Sequence, residues 1–327
     1  MAANPPKLLV IARGGTIASV PPDGGGEQVT PGLGGEALAR SVPELAAIAT
    51  IESVDLPPVA SFELGPVQML EIAHLVAGAD AYDGVVVTQG SDTLEETTYM
   101  LALTLGRVRP VAVTGALRNP TLPSPDGPAN LLAAAAVAAD PRSAELGPVA
   151  VLAEEIHLAR WATKAHTSRT QAIVSPGAGP AGEVVEGRVY LWHQPLYQDL
   201  LGLPRDLAGA DVALLRIAAG DDGRLLSSLA DDPPAGVVVE GTGGGHLPAA
   251  LLPALDRLIS TGIPIVLATR VAAGRNLERT YGMAGGEVDL IRRGVLPAGW
   301  LGGGKARLRL MVALALGIDP ARVFPVR

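Results

Sequence analysis

The chain has 327 residues, a formal net charge of −8, no cysteine and a hydrophobic share of 48%. Its length implies about two domains, and without cysteine no disulfide, thiolate metal site or thiol nucleophile can form. The scattered lysines and arginines offer no basic stripe to a phosphate backbone, so nucleic acid is not an expected partner, and no apolar run approaches the ~18 residues of a membrane span.

The segment from Met1 to Lys7 lacks the basic-then-apolar pattern of a secretory leader, so a cytoplasmic location is expected. Residues 7–12 read as a buried strand that ends in a turn, Arg13-Gly14-Gly15-Thr16-Ile17-Ala18-Ser19, presenting a hydroxyl just beyond the strand. The next stretch, 19–35, has three consecutive glycines and paired prolines and reads as a loop; loops of this length are often lids, and this one starts three residues past Thr16. A helix over 35–49 and a strand over 51–56 follow. Ser61 comes next, a hydroxyl after a strand whose plainest role is to cap the helix expected over 66–77.

Val85, Val86 and Val87 have no polar relief, as expected of a strand buried on both faces of a parallel sheet. The polar turn Thr88-Gln89-Gly90-Ser91-Asp92-Thr93 then hands over to a helix from Leu94, the kind of place where open α/β sheets hold ligands. By propensity alone, Asp92 and Glu95 form a capping box. Against that stands the turn at Thr16: two hydroxyl-bearing turns from one sheet can face one cleft.

A strand over 110–114, a turn through Ala116 and an alanine-rich helix over 128–139 come next, then a strand over 149–153. The segment 156–170 carries Lys164, which on its own reads as a solvated charge. Residues 183–192 read as a hairpin turning at Glu186-Gly187. Periodicity then lapses, giving an inter-domain linker over 194–210 between domains 1–193 and 211–327. In the second domain, strands over 212–216, 236–240 and 263–268 alternate with helices over 248–260 and 305–316, the pattern of a smaller parallel sheet. Gly241-Thr242-Gly243-Gly244-Gly245 lacks the ordered spacing of a dinucleotide loop. The five histidines, His74, His157, His166, His193 and His246, show no metal spacing and no nucleophile elbow to join, and read as structural or surface residues.

With its Gly-Gly-Thr-Ile-Ala turn and its Thr88-x-Gly-Ser-Asp-Thr-x-Glu-Glu-Thr97 turn, the chain resembles the bacterial-type L-asparaginase/glutaminase family of threonine amidohydrolases. The resemblance runs from Lys7 to the closing helix. It implies an α/β fold of two domains, a larger N-terminal mixed or parallel sheet and a smaller C-terminal flavodoxin-like parallel sheet. It also implies hydrolysis of L-asparagine through an acyl-enzyme, with some L-glutaminase activity left open, without metal or organic cofactor, in homotetramers with active sites between subunits.

Carried over residue by residue, the resemblance makes Thr16, Ser91, Asp92 and Lys164 catalytic. Gly15, Gly90, Ser91 and Asp92 surround the substrate, Ser61 and the backbone beside it bind the α-carboxylate, and Ala116 lends its carbonyl to the side-chain amide. Glu287 reaches the α-amino group from a partner subunit, although by itself it reads equally as an exposed helix-start acid. Four positions depart from the pattern. The lid has Val29-Thr30 where many members have a tyrosine before the threonine, so Thr30, a water or another group would have to activate Thr16. Phe62 stands for a glutamine, Ser91 for the commoner threonine, and Gly244 for an asparagine. Two rival readings are a non-catalytic amino-acid sensor, which would have no use for Thr16 or Lys164, and the ammonia-supplying subunit of a tRNA-dependent amidotransferase, which would need a partner.

Overall fold

The computed structural model describes residues 5–21, 28–196 and 198–326. They form two compact units, Met1–Leu203 and Pro204–Arg327. In the first, the β-rich runs become β1 (Lys7–Gly14), β2 (Thr50–Val59), β3 (Gly84–Thr88), β4 (Val111–Thr114), β5 (Val149–Leu152), β6 (Glu155–Leu158), β7 (Gly182–Val185) and β8 (Arg188–Leu191). They make one sheet in the order β8-β7-β6-β5-β4-β3-β1-β2. Strands β2, β1, β3, β4 and β5 are parallel, and β6 to β8 continue antiparallel. Val85, Val86 and Val87 are fully buried, each worth about 1.5–3 kcal/mol relative to exposure.

The helices of this unit are α1 (Gly35–Arg40), α2 (Pro66–Ala77), α3 (Leu94–Leu105) and α4 (Gly127–Ala139). Two elements differ from expectation. The helix expected over 35–49 stops at Arg40, because Pro43 draws Val42 out of helical geometry (φ −129°), and a separate 3-10 turn covers Pro43–Ala47. The strand expected over 51–56 runs on to Val59, through Pro57 and Pro58. It can, because β2 is an edge strand and its register with β1 shifts between Ala12 and Gly14, where missing N–H donors break no ladder.

After β6 the chain turns tightly, with the Trp161 and Ala162 amides both donating to Leu158 O. It then forms a short antiparallel ribbon in which Thr163–Lys164 pairs with Ile173–Val174.

The second unit is a parallel sheet of β9 (Val212–Arg216), β10 (Gly236–Gly241), β11 (Ile265–Thr269) and β12 (Leu296–Pro297), in that order. Around it lie α5 (Arg224–Asp231), α6 (Leu252–Ser260), α7 (Glu287–Arg292) and α8 (Gly303–Ala315). Its own core includes Val237, Val239, Leu255, Leu258, Leu267 and Leu290. No helix among the described residues is long and apolar enough to cross a membrane.

Candidate active site

The chain leaves β1 for β2 on one side and places β3 and β4 on the other, so the carboxyl ends of β1 and β3 flank a topological switch point, where open α/β sheets bind ligands. The turns after these strands touch backbone to backbone. Gly15 has φ +80° and ψ −176°, a conformation essentially closed to other residues, and a Cβ there would overlap the Gly90 amide nitrogen. A Cβ on Gly90 would in turn lie 2.6 Å from Ser61 Oγ. Paired glycines thus bring three hydroxyl-bearing turns, at Thr16, Ser61 and Ser91, into one small region.

Thr16 opens a single 3-10 turn, Thr16–Ala18, held by the Ala18 amide and the Ser19 hydroxyl, both donating to Gly15 O. Ser91 and Asp92 lie in another, Ser91–Thr93. The capping-box reading of Asp92 fails: Thr93 is the N-cap of α3, and no side chain caps it. Both carboxylate oxygens of Asp92 are engaged elsewhere, Oδ1 by Lys164 Nζ at 2.5 Å and Oδ2 by the Ser61 hydroxyl at 2.8 Å. Ser61 does not cap α2 either, since Gly65 is the N-cap there; it accepts from the Asp92 amide, and its carbonyl accepts from Thr93 Oγ1.

Lys164 Nζ also donates to Ser91 Oγ at 2.9 Å. The solvated-charge reading of this lysine is therefore wrong, and its side chain is only 15% exposed. The Lys164 ammonium, together with the Ser61 hydroxyl, holds the Asp92 carboxyl below the usual carboxylate range despite partial burial, so it is ionised at neutral pH.

Ala116 is fully buried just beyond β4, whereas Phe62, next to buried Ser61, is 75% exposed. Part of the expected lid, 22–27, lies outside the described residues. Of its remainder, Thr30–Pro31 pairs with Ser19–Val20, Val29 is partly buried, and Thr30 is exposed.

In the second unit Glu287 is fully buried, not an exposed helix-start acid. Burial acts to raise its pKa, but backbone N–H groups, including those of Tyr281 and Thr280, and the nearby His246 outweigh that and leave it lowered. His246 Nε2 lies 3.0 Å from Glu287 Oε2, and its ring meets Tyr281 edge-on, so His246 is more than a surface residue. The side-chain space at Gly244 is taken: a Cβ would lie 2.6 Å from Leu277 Cγ.

Three supporting roles escaped the sequence reading. Glu95 accepts from the Lys164 backbone amide. Asn130, buried within α4, donates to Gly115 O and accepts from the Ala153 amide, bracing the turn of Ala116. Asp126 accepts from the amides of Leu117 and Arg118 in the same turn. Asparagine amid alanines was the one visible signal. Among the described residues, no cluster of histidine or acidic side chains is arranged to hold a metal.

Two family models cover nearly all of the chain: "Asparaginase, N-terminal" matches residues 7–197 and "Glutaminase/Asparaginase C-terminal domain" matches residues 211–324. The chain belongs to the asparaginase family. It is 39% identical to the "Probable L-asparaginase" of Deinococcus radiodurans, over 99% of this chain and 98% of that protein. It is 31% identical to the "Probable L-asparaginase periplasmic" of Haemophilus influenzae, over 98% and 91%. With the "Glutaminase-asparaginase" of Pseudomonas aeruginosa it shares 32% identity over 83% and 78%. Both asparaginase domains lie on one α/β chain, the first around the eight-stranded sheet and the second around the four-stranded one.

Proposed function

We propose that this enzyme hydrolyses L-asparagine to L-aspartate and ammonia, with L-glutaminase activity alongside, through an ester on Thr16. The carrying observation is the position of Lys164 Nζ against both Ser91 Oγ and Asp92 Oδ1, in a turn that abuts the turn of Thr16. An amide is a weak electrophile with a poor leaving group, so the site must supply a nucleophile, an oxyanion pocket and a proton.

In this reading Thr16 Oγ adds to the side-chain amide carbon, and backbone N–H groups near Ser91 hold the oxyanion. The Thr16 proton passes by way of Ser91 and Lys164 to the amide nitrogen. The C–N bond then breaks, ammonia leaves, and Thr16 retains the acyl group. Water adds to the ester, one of its protons restores the Thr16 hydroxyl, and aspartate departs. Asp92 keeps Lys164 in reach and pairs with the substrate ammonium. Gly15, Gly90, Phe62 and Ala116 line the substrate, Ser61 takes its α-carboxylate, and Val29 and Thr30 belong to the lid. Neither a metal nor an organic cofactor enters these steps.

The proposal extends to a cytoplasmic homotetramer with active sites between subunits, and to a boundary between the catalytic domain 1–193 and the domain 211–327. Glu287, fully buried and bonded to His246 and to the Thr280 and Tyr281 amides of its own unit, is not presented to a partner's site in this fold. Light scattering should give four times the chain mass. Retention of both Thr16 and Lys164 argues against a sensor. The deciding experiment is ammonia release from L-asparagine and L-glutamine by the wild type and by Thr16→Ala. The variant should lose at least about 10³-fold in kcat, as expected when a covalent nucleophile is removed. Wild-type turnover by the variant would overturn the threonine-ester route.

A further inference from the structure

Among the buried titratable side chains that the site described so far does not use is an imidazole close to the Lys164 ribbon. His157 is fully buried near the end of β6, and its Nδ1 lies 3.0 Å from the hydroxyl of Ser175, itself buried. Ser175 directly follows Ile173–Val174, the strand paired with Thr163–Lys164 in the register Ile173 to Lys164 and Val174 to Thr163. The imidazole–hydroxyl contact therefore closes the base of a loop that starts at β6, turns at Leu158–Ala162, carries Lys164 toward Ser91 and returns at Ser175. On its other side the loop is held by Glu95, which accepts from the Lys164 amide at 3.3 Å.

We propose that His157 and Ser175 are positioning residues for Lys164, their buried contact fixing the ribbon from which that ammonium reaches Ser91 and Asp92. The inference rests on the reading of Lys164 as a catalytic group. The Ser175 carbonyl separately accepts from Ala178 and Gly179, which shapes the following turn and leaves the hydroxyl for His157.

The imidazole suits this role because it stays neutral. Burial pushes its pKa down to about 4, and burial likewise raises that of Glu155, whose Oε2 lies 3.3 Å from Nε2, with Glu183 adding to the rise. Both partners are thus driven toward their uncharged forms. A neutral ring carries one N–H and one bare nitrogen, so protonation to imidazolium, which would leave two donors and no acceptor, does not intrude on the contact with Ser175 across the working pH range.

The test compares Ser175→Ala and His157→Leu with Ser175→Thr and His157→Asn. Threonine keeps the hydroxyl, and asparagine places an amide near the position of Nδ1. The first two should lower kcat for L-asparagine about tenfold, the scale of a sub-ångström displacement of a catalytic group, with KM within about twofold. Threonine and asparagine should restore most of the loss. Lys164→Met is measured alongside: if it is inactive while Ser175→Ala and His157→Leu turn over like the wild type, the positioning role is wrong and the reading of Lys164 stands. If Lys164→Met is itself active, that reading has failed. Equal loss in all four variants would also overturn the positioning role, since it would show a general packing requirement. If alanine or leucine prevents folding, the threonine and asparagine variants still decide, because kcat near wild type is expected of them and a tenfold loss refutes it.

Discussion

Asp92 shows how one residue can be legible in type and not in role. Followed three positions later by Glu95, it has the spelling of a helix cap, and only the fold reveals that its carboxylate faces Lys164 and Ser61 while Glu95 meets the Lys164 backbone. These partners lie 72, 31 and 69 positions apart in their respective pairs, beyond the reach of any local pattern. Family resemblance grouped Asp92 with Lys164 as catalytic residues; Glu95 stood in the same turn motif, but its bond to the Lys164 amide could not be read from the sequence. Asp92→Asn keeps the shape of the side chain and removes the charge that holds Lys164. Turnover should fall by about 10²–10⁴, the span of positioned proton transfer. Stability should change little, because the Asp92 side chain is 51% exposed and water screens the pair. Steady-state kinetics with a parallel thermal melt checks both halves, and a large fall in stability with intact turnover would contradict the assignment.

The elements that place these residues were legible where burial dictates composition. Unrelieved valine runs announced β3, and alternation of strands and helices announced the second sheet. Boundaries failed where tertiary position overrides propensity: β2 crosses two prolines because it lies at an edge, and α1 ends early because of Pro43. Helix α5 was missed because Gly220, Asp221, Asp222 and Gly223 read as loop, and only eight helical residues follow them. That the turns of Thr16 and Ser91 could face one cleft was legible, but their backbone contact through Gly15 and Gly90 was not, since a glycine's lack of a side chain says nothing of what occupies the space. That contact is testable through Gly90→Ala. The backbone there has φ −75°, which alanine accepts, so any effect comes from the new methyl 2.6 Å from Ser61 Oγ. Overpacking of this kind costs about 1–3 kcal/mol, and pushing Ser61 away should also loosen Asp92 and raise KM for L-asparagine about tenfold or more, by loss of a charge-assisted hydrogen bond. Unchanged KM in the purified variant would mean that the turns are not as closely packed as the structure has them.

For the whole molecule, the buried and paired groups set a direction for acid stability. His157 has a folded pKa of about 4 against an ordinary value of 6.5. As pH falls through 6.5 the unfolded chain takes up a proton that the folded chain refuses until about pH 4. Stability present above pH 6.5 is therefore lost progressively down to pH 4, by about 3 kcal/mol for a shift of this size. Glu155 acts with the opposite sign: its raised pKa lets the folded chain protonate first, so its burial penalty is relieved as pH falls toward its ordinary value and offsets part of the histidine loss. Below about pH 4 the carboxyls of Asp92, Asp140, Asp289 and Glu287, all held below their ordinary values, take over; each contributes stability above its unfolded pKa and loses it as pH drops through the folded one. Urea unfolding at pH 7, 6, 5 and 4.5 should show a midpoint that declines from pH 6.5 downward, ahead of the main loss from those carboxyls. In His157→Asn, which cannot take up the proton, the decline over pH 6.5–4.5 should flatten while the steeper loss below pH 4 persists. Parallel wild-type and variant profiles would show that the acid sensitivity arises elsewhere. The same variant should retain its turnover, so one substitution separates the histidine's charge, which costs stability in acid, from its hydrogen bond to Ser175, which places the lysine.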